Sequence, residues 1–473
     1  YGDHRDLHSF PTRRLPIFPR TSDEREFFQL SEFGPIMRTI LHNCGEIAHL
    51  STGDDGDPLS GERLLDRESL VHPAGMAIMI SGGIVQKIAP SDDILSEFAP
   101  WYPANSVSTD VEVIDIGEMS VVPGFVDSHT HLPWSGDRTN ELTMRLRGKT
   151  YREIAQSGGG IMKTVSHTRR TTKRNLVGSG ITRVQECMRN GTTTLEAKSG
   201  YGLDLDSEVK LLEAISEIDR STAIDIRATW LGAHDFPPEM GREDYVEHLI
   251  SDQLPVISEL SLARWVDVFC EQGWFTNEQT EDIVKASKDY GMKSRLHVDE
   301  FVDSGGLALA AELGSVSADH VACSNDDSRV SAAEFGTVQT FLPGTPYVLG
   351  KSLELPIKKC ITEDWPFSIA TDFNPNCPIT SLPLIGSFVT HRLGVDPIAS
   401  LVAVTRNPAT TMFDEEEPRG VISEGSIADM NVLWSSSADS WCQTPGSSPV
   451  RDTIKNGIIV RSEERRVGKE CRS

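Results

Sequence analysis

The segment Asp127-Ser-His129-Thr-His131 follows directly on the apolar run Val121–Val126. In extended backbone, residues i and i+2 point to one face, so His129 and His131 can reach a single ion from a strand end. Two polar loop histidines would look the same, so the pair alone decides nothing. Other polar groups close strand-like runs in the same way. His234 ends Ala228–His234, His297 ends Ser294–His297, His320 ends Ala318–His320, and Asp372 ends Ile369–Asp372. Each alone reads as a satisfied structural group. In order around one barrel they read as a shell. Three imidazoles and one carboxylate with an open position suit a catalytic zinc or iron ion. Such an ion brings the pKa of its water down to about 7. A carboxylate must then take that proton, and another group must protonate a leaving nitrogen. The chemistry expected is hydrolysis at a carbonyl or amidine carbon. No Cys/His or Ser/His nucleophile pattern competes with it. Gly158-Gly-Gly160 follows the helical segment Tyr151–Gln156, not a strand, so it reads as a lid or a helix C-cap and not as a phosphate loop.

Strand ends need strands. From 120 to 412, short apolar runs alternate with amphipathic helices. The strand-like runs are Val121–Val126, Thr192–Glu196, Ile224–Leu231, Trp265–Cys270, Lys293–Val298, Ser315–Asp319 and Pro366–Thr371. Between them, Ser207–Ile218, Asn277–Tyr290 and Gly305–Leu313 carry helical patterning, as Leu211, Leu212, Ile215 and Ile218 show. Repeated strand–helix units imply a parallel sheet, and the length suits a closed (β/α)8 barrel of the TIM type, with catalytic groups at the C-terminal ends of its strands. The flanks differ. Met76–Ile80 and Gly82–Ile88 read as a strand, a glycine turn and a strand; Val111–Ile116, Met430–Trp434 and Val450–Val460 are also strand-like, while 51–70 reads as a loop. Residues 34–119 and 413–460 are expected to combine into one small β-sandwich domain beside a barrel of residues 120–412.

The chain has 473 residues, 38% of them apolar and 24% charged, which is ordinary globular composition. Its formal charge of −25 repels phosphate backbones and sets nucleic acid aside as a partner. Eight cysteines, none in a Cys-x-x-Cys pair, fit a reducing compartment and a cytoplasmic protein. No apolar run is long enough to span a membrane, and no secretory pattern opens the chain. Residues 1–20 and 461–473 lack an apolar face, resemble translated read-through, and are expected to lie outside the fold.

Several longer runs carry a resemblance. Pro123–His131 resembles the first metal-binding strand of the amidohydrolase superfamily. Gly136-Asp-Arg138, Gly158–Ile161, Glu196-Ala-Lys-Ser-Gly-Tyr201-Gly, Leu231–His234, His297-Val-Asp-Glu300-Phe, Ser317–His320 and Thr371-Asp372-Phe-Asn374-Pro narrow it to the imidazolonepropionase family, over roughly 75 to 460. The resemblance implies hydrolysis of 4-imidazolone-5-propanoate to N-formimidoyl-L-glutamate, a step of histidine breakdown. It implies one zinc or iron ion held by His129, His131, His297 and Asp372, and a homodimer. It assigns Arg138, Tyr201, His234 and Asn374 to the substrate. Chemistry agrees: a propanoate wants a guanidinium, and Arg138 supplies one. Glu300 and His234 can address the ring, and Glu300, His320 and Asp372 are the candidates for proton transfer, with Asp372 expected to take the water's proton. After Asn374-Pro375 the family continues with Gly and then Ser or Thr, but this chain has Asn376-Cys377. The Asn376 amide is expected to replace the missing contacts. Lys198 is expected in a buried ionic network, not as a bridging ligand. Another mononuclear amidohydrolase, such as a cyclic-amidine deaminase, would share the metal set but not Glu-x-Lys-Ser-Gly-Tyr-Gly. A barrel that had lost catalysis would show replaced ligands.

Overall fold

The computed structural model describes residues 38–102, 110–150, 153–154, 157–413 and 418–462. The expectations for 1–20, for the chain after Ser462 and for most of Tyr151–Gln156 lie outside these residues.

Eight parallel strands form one sheet in chain order. They are β1 (Phe125–Asp127), β2 (Thr192–Lys198), β3 (Asp225–Ala233), β4 (Trp265–Cys270), β5 (Lys293–Val298), β6 (Ser317–His320), β7 (Val338–Phe341) and β8 (Phe367–Ile369). The sheet curls into a barrel whose closing seam lies just beyond the strand ends. There Thr130 and Phe373 form a parallel bridge. His131 N donates to Phe373 O at 2.9 Å, and Asp372 N donates to His129 O at 3.1 Å. Lower down, Val126 N and Ile369 N donate instead to Val404 O and Ala403 O, so a loop wedges the seam open at its base. The barrel is therefore sealed by the segments that carry His129, His131 and Asp372.

Helices between strands cover the barrel, and local sequence sets their starts. Asp204 caps Leu205–Ser221 through Ser207 N, and Thr276 with Gln279 forms a capping box on Asn277–Asp289. One large core joins the barrel to these helices.

Two findings revise the reading of the barrel strands. The run Val121–Val126 is not one strand: Val121–Pro123 pairs antiparallel with Met430–Leu433 in a second sheet, and only Phe125–Asp127 enters the barrel. Gly124 makes the crossing, where a Cβ would sit 2.2 Å from Thr193 Oγ1. The strand β7 was not anticipated; its four residues include Gln339 and Thr340, both buried, which breaks the apolar run that marks its neighbours.

The flanks build two further sheets. Ile84–Pro90, Met76–Ser81, Arg38–His42 and Val111–Asp115 form one of four strands. The other has six: Ile458–Ser462, Val450–Lys455, Met430–Leu433, Val121–Pro123, Ile47–Ala48 and Val71–His72. Leu41, Ile78, Ile80, Val121, Met430, Val432 and Ile454 pack between the two faces. Val450–Val460, read above as one strand, is a hairpin folded at Asn456-Gly457, both with positive φ, the residue pair that a tight turn of this hand prefers. Its second strand ends at Ser462, two residues past the expected edge. Within the loop-like 51–70, a 3-10 turn and a short helix occupy Gly61–Leu65 and Arg67–Leu70. Among the described residues, no helix is long and apolar enough to cross a membrane, and the seven described cysteines are unpaired.

Candidate functional site

His129 and His131 follow the end of β1, His297 is the penultimate residue of β5, His320 ends β6, and Asp372 follows β8. All five are buried. His131 Nε2 lies 3.4 Å from His297 Nε2 and 3.4 Å from Asp372 Oδ1, and His129 Nε2 lies 3.6 Å from the same oxygen. Donor atoms of His129, His131 and His297 fall within 4.8 Å of one another, as do those of His129, His320 and Asp372. His129 Nε2 is buried without a hydrogen-bond partner. A buried imidazole nitrogen left without a partner among other imidazoles and a carboxylate is the donor set a transition metal takes. His320 is the one addition to the four expected ligands, since geometry brings it equally near. Asp372 and His320 both hold positive φ, +54° and +73°. Non-glycine residues kept in that region gather at functional sites.

The opposite ring nitrogens are fixed from behind. His129 Nδ1 lies 2.7 Å from Asp319 Oδ2, and His297 Nδ1 lies 2.9 Å from Asp267 Oδ2. Lys198 Nζ sits 2.7 Å from Glu196 Oε1, 2.8 Å from Asp267 Oδ2 and 3.8 Å from Asp319 Oδ2. All four of these groups are fully buried. Lys198 therefore balances the carboxylates that orient the histidines, as its expected place in an ionic network requires. Burial would discharge Lys198, but Asp267 and Glu196 outweigh it and raise its pKa. Burial, seconded by the Lys198 charge, holds His129 neutral and far below its ordinary value. A neutral ring with one nitrogen anchored on a carboxylate presents the other as a lone pair.

One cavity opens over this cluster. Every residue expected at the site lines it except His129, which lies beneath. Burial lowers His234 well below its ordinary pKa. Its Nδ1 donates to Gly200 O at 2.9 Å, which turns Nε2 away from that backbone. Gly200 has φ +96°, and a Cβ there would lie 2.9 Å from the His234 ring. Tyr201 stands 5.2 Å from His234, centroid to centroid. Burial, then the nearby Asp372 charge, pushes the Glu300 carboxyl up to about 8. Its Oε2 lies 3.8 Å from His320 Nε2. Asp372 differs. Burial would raise it, but the hydrogen bond from His131 and the neighbouring imidazoles hold it well below the usual carboxylate range. Thr345 Oγ1 and Asn374 Nδ2 also donate to it.

Asn376 lines the cavity and accepts from Arg145 Nη1 at 2.8 Å through Oδ1. Arginine offers only donors, so the Asn376 oxygen must face it. Cys377 points elsewhere, its thiol 3.6 Å from Thr371 O and fully buried. Sequence reasoning missed the cavity's apolar lining of Ile161, Phe269, Phe301 and Leu349. Trp274 packs against the core beside Phe269 and also lines the cavity. Trp230 and Trp265 are core, each 1% exposed. Apolar residues on loops carry no pattern that marks them for a ligand. Asp319 was legible in principle, because it stands next to the strand-end His320, whereas Asp267 lies inside its strand, three residues before Cys270.

No family model matches the chain. It is 38% identical over 431 residues to an imidazolonepropionase from Symbiobacterium thermophilum, covering 90% of this chain and 97% of that protein. A 5-methylcytosine deaminase from Klebsiella pneumoniae liganded with 5-fluorocytosine superposes with a TM-score of 0.65 at 15% identity, over 90% of this chain and 98% of its own. An atrazine chlorohydrolase mutant from Arthrobacter aurescens complexed with zinc and atraton gives 0.63 at 14% identity, over 92% and 99%. The two structures share the fold. The sequence relative matches over 90% of this chain and 97% of its own.

Proposed function

Because the chain belongs to the imidazolonepropionase family, we propose that this cavity opens the ring of 4-imidazolone-5-propanoate by hydrolysis to N-formimidoyl-L-glutamate. The observation that carries the reading is a histidine–carboxylate cluster beneath a cavity that also presents Arg138, Tyr201 and His234. His129, His131, His297 and Asp372 would hold one zinc or iron ion. Bound there, the ion supplies Lewis acidity and an acidified water.

This chain's residues do the rest. Arg138 takes the propanoate carboxylate. Tyr201 and the neutral His234 hold the planar ring against the floor. The Asn376 amide, its oxygen occupied by Arg145, turns its NH2 to the substrate, which offsets the loss of a hydroxyl at Cys377. Asp372, ionised at neutral pH, accepts the proton of the attacking water, with His320 beside it. The new C–O bond forms at the ring carbonyl, and the adjacent C–N bond breaks. Glu300 keeps its proton to about pH 8 and delivers it to the leaving nitrogen, so both proton transfers have a group in the right state. The active unit is a homodimer, as the family resemblance implies; light scattering checks it.

Purified protein should consume imidazolone propanoate in an absorbance assay. An Asp372→Asn enzyme that retains its metal should lose at least about a hundredfold in kcat. Full turnover by that variant would remove Asp372 from the proton transfer.

A further inference from the structure

Glu141 is fully buried and does not line the cavity, yet it is bonded to a residue that does. Arg138 Nε donates to both Glu141 oxygens at 3.0 Å, and Nη2 donates to Oε2 at 2.8 Å. Glu141 Oε1 also accepts from Gly160 N at 2.9 Å, at the start of the helix Gly160–Arg170. Ile161, the next residue of that helix, lines the cavity beside Arg138. One carboxylate thus ties the side-on edge of a guanidinium to a helix N-terminus.

The glycine run 158–160 gains its reason here. A Cβ at Gly159 would lie 3.1 Å from Glu141 Oε1 and 2.7 Å from Ile154 Cγ2, and Gly160 has φ +72°. Gly158, with φ +85°, and Gly159 N, which donates to Ile154 O at 3.0 Å, close the preceding turn as the expected C-cap, and Gly159 is also the N-cap of the following helix, so the run both ends one turn and cradles Glu141.

We propose that Glu141 is a positioning residue for the substrate. It fixes Arg138 from behind, so that the end-on edge of the fork meets the propanoate already oriented. An arginine on a mobile stem loses side-chain freedom when it clamps an anion, and one held in advance loses less. This rests on the reading that Arg138 receives the substrate carboxylate. A structural role alone would make Glu141 matter equally with or without Arg138.

The test is a double-mutant cycle on the metal-loaded enzyme with imidazolone propanoate. Glu141→Gln keeps the shape but turns a donor toward the arginine. It should raise KM about tenfold and move kcat by less than about twofold. In an Arg138→Met background, where KM is already raised, the same change should add less than about twofold. An equal factor in both backgrounds, or a fall in kcat with KM unmoved, overturns the proposal. If Arg138→Met leaves KM unchanged, the carboxylate reading of Arg138 fails and the proposal with it. Should Glu141→Gln not fold, Glu141→Asp carries the test: a shorter reach should still raise KM, and a wild-type KM overturns the proposal.

Discussion

At the scale of single residues, carboxylates outside the cavity lining hold the clustered histidines. Asp319 and Asp267 anchor the ring nitrogens of His129 and His297 that face away from the cluster. Asp319→Asn should weaken metal retention by about ten- to a hundredfold, read by competition with a chelator; retention equal to wild type would contradict the anchoring role. A second prediction lies far from the cavity. His49 and His72 stack at 4.3 Å, and His49 Nδ1 accepts from Ser51 N. Burial, seconded by His72, lowers His49 to about 4, and burial lowers His72 as well. The folded state then binds fewer protons than the unfolded chain. The stabilisation is present above about pH 6.5 and is lost as pH falls toward 4. Thermal midpoints should drop across that window, and His49→Gln should flatten the drop. An unchanged slope would show that another group titrates there. The clustered histidines and Asp372 were legible because strand ends repeat one pattern. The anchoring aspartates were less so, because an inward carboxylate inside a strand reads as ordinary polarity until its partner is known.

At the scale of elements, the seam of the barrel and the site are one construction. Thr371 donates to the buried Asp127 from its hydroxyl at 2.6 Å and from its backbone N–H at 3.1 Å. This pair joins β1 to the segment after β8, one residue from Asp372. Burial raises the Asp127 carboxyl to about 7. Thr371→Val should cost about 1–3 kcal/mol, because a buried acceptor loses its partner. It should also lower metal affinity by shifting Asp372. A fall in stability with metal retention unchanged would separate the seam from the site. Seven barrel strands could be read from apolar runs with polar ends. The eighth, Val338–Phe341, could not, since its inner residues are Gln339 and Thr340. Val121–Val126 looked like one strand because both halves are apolar; only the close approach of Thr193 to Gly124 divides it between two sheets. Asn456-Gly457 was a visible turn signal inside a run that otherwise read as continuous.

At the scale of the whole molecule, the two flanks of the chain pair with each other through shared sheets beside the barrel. Met430–Leu433 pairs with Val121–Pro123, and that pairing sets the entry of β1 into the barrel. The net charge of −25 works against an anionic substrate, so a fixed local cation such as Arg138 has more to do. The histidine–carboxylate cluster and the cavity above it are proposed to act together as a metal-dependent imidazolone hydrolase. The measurement that tests it most directly follows metal content and turnover on one preparation of the full chain. The expected result is about one zinc or iron per chain, consumption of imidazolone propanoate, parallel loss of both on chelation, and recovery of both on adding the metal back. Stoichiometric metal without turnover of this substrate, or turnover that survives complete removal of metal, would contradict it.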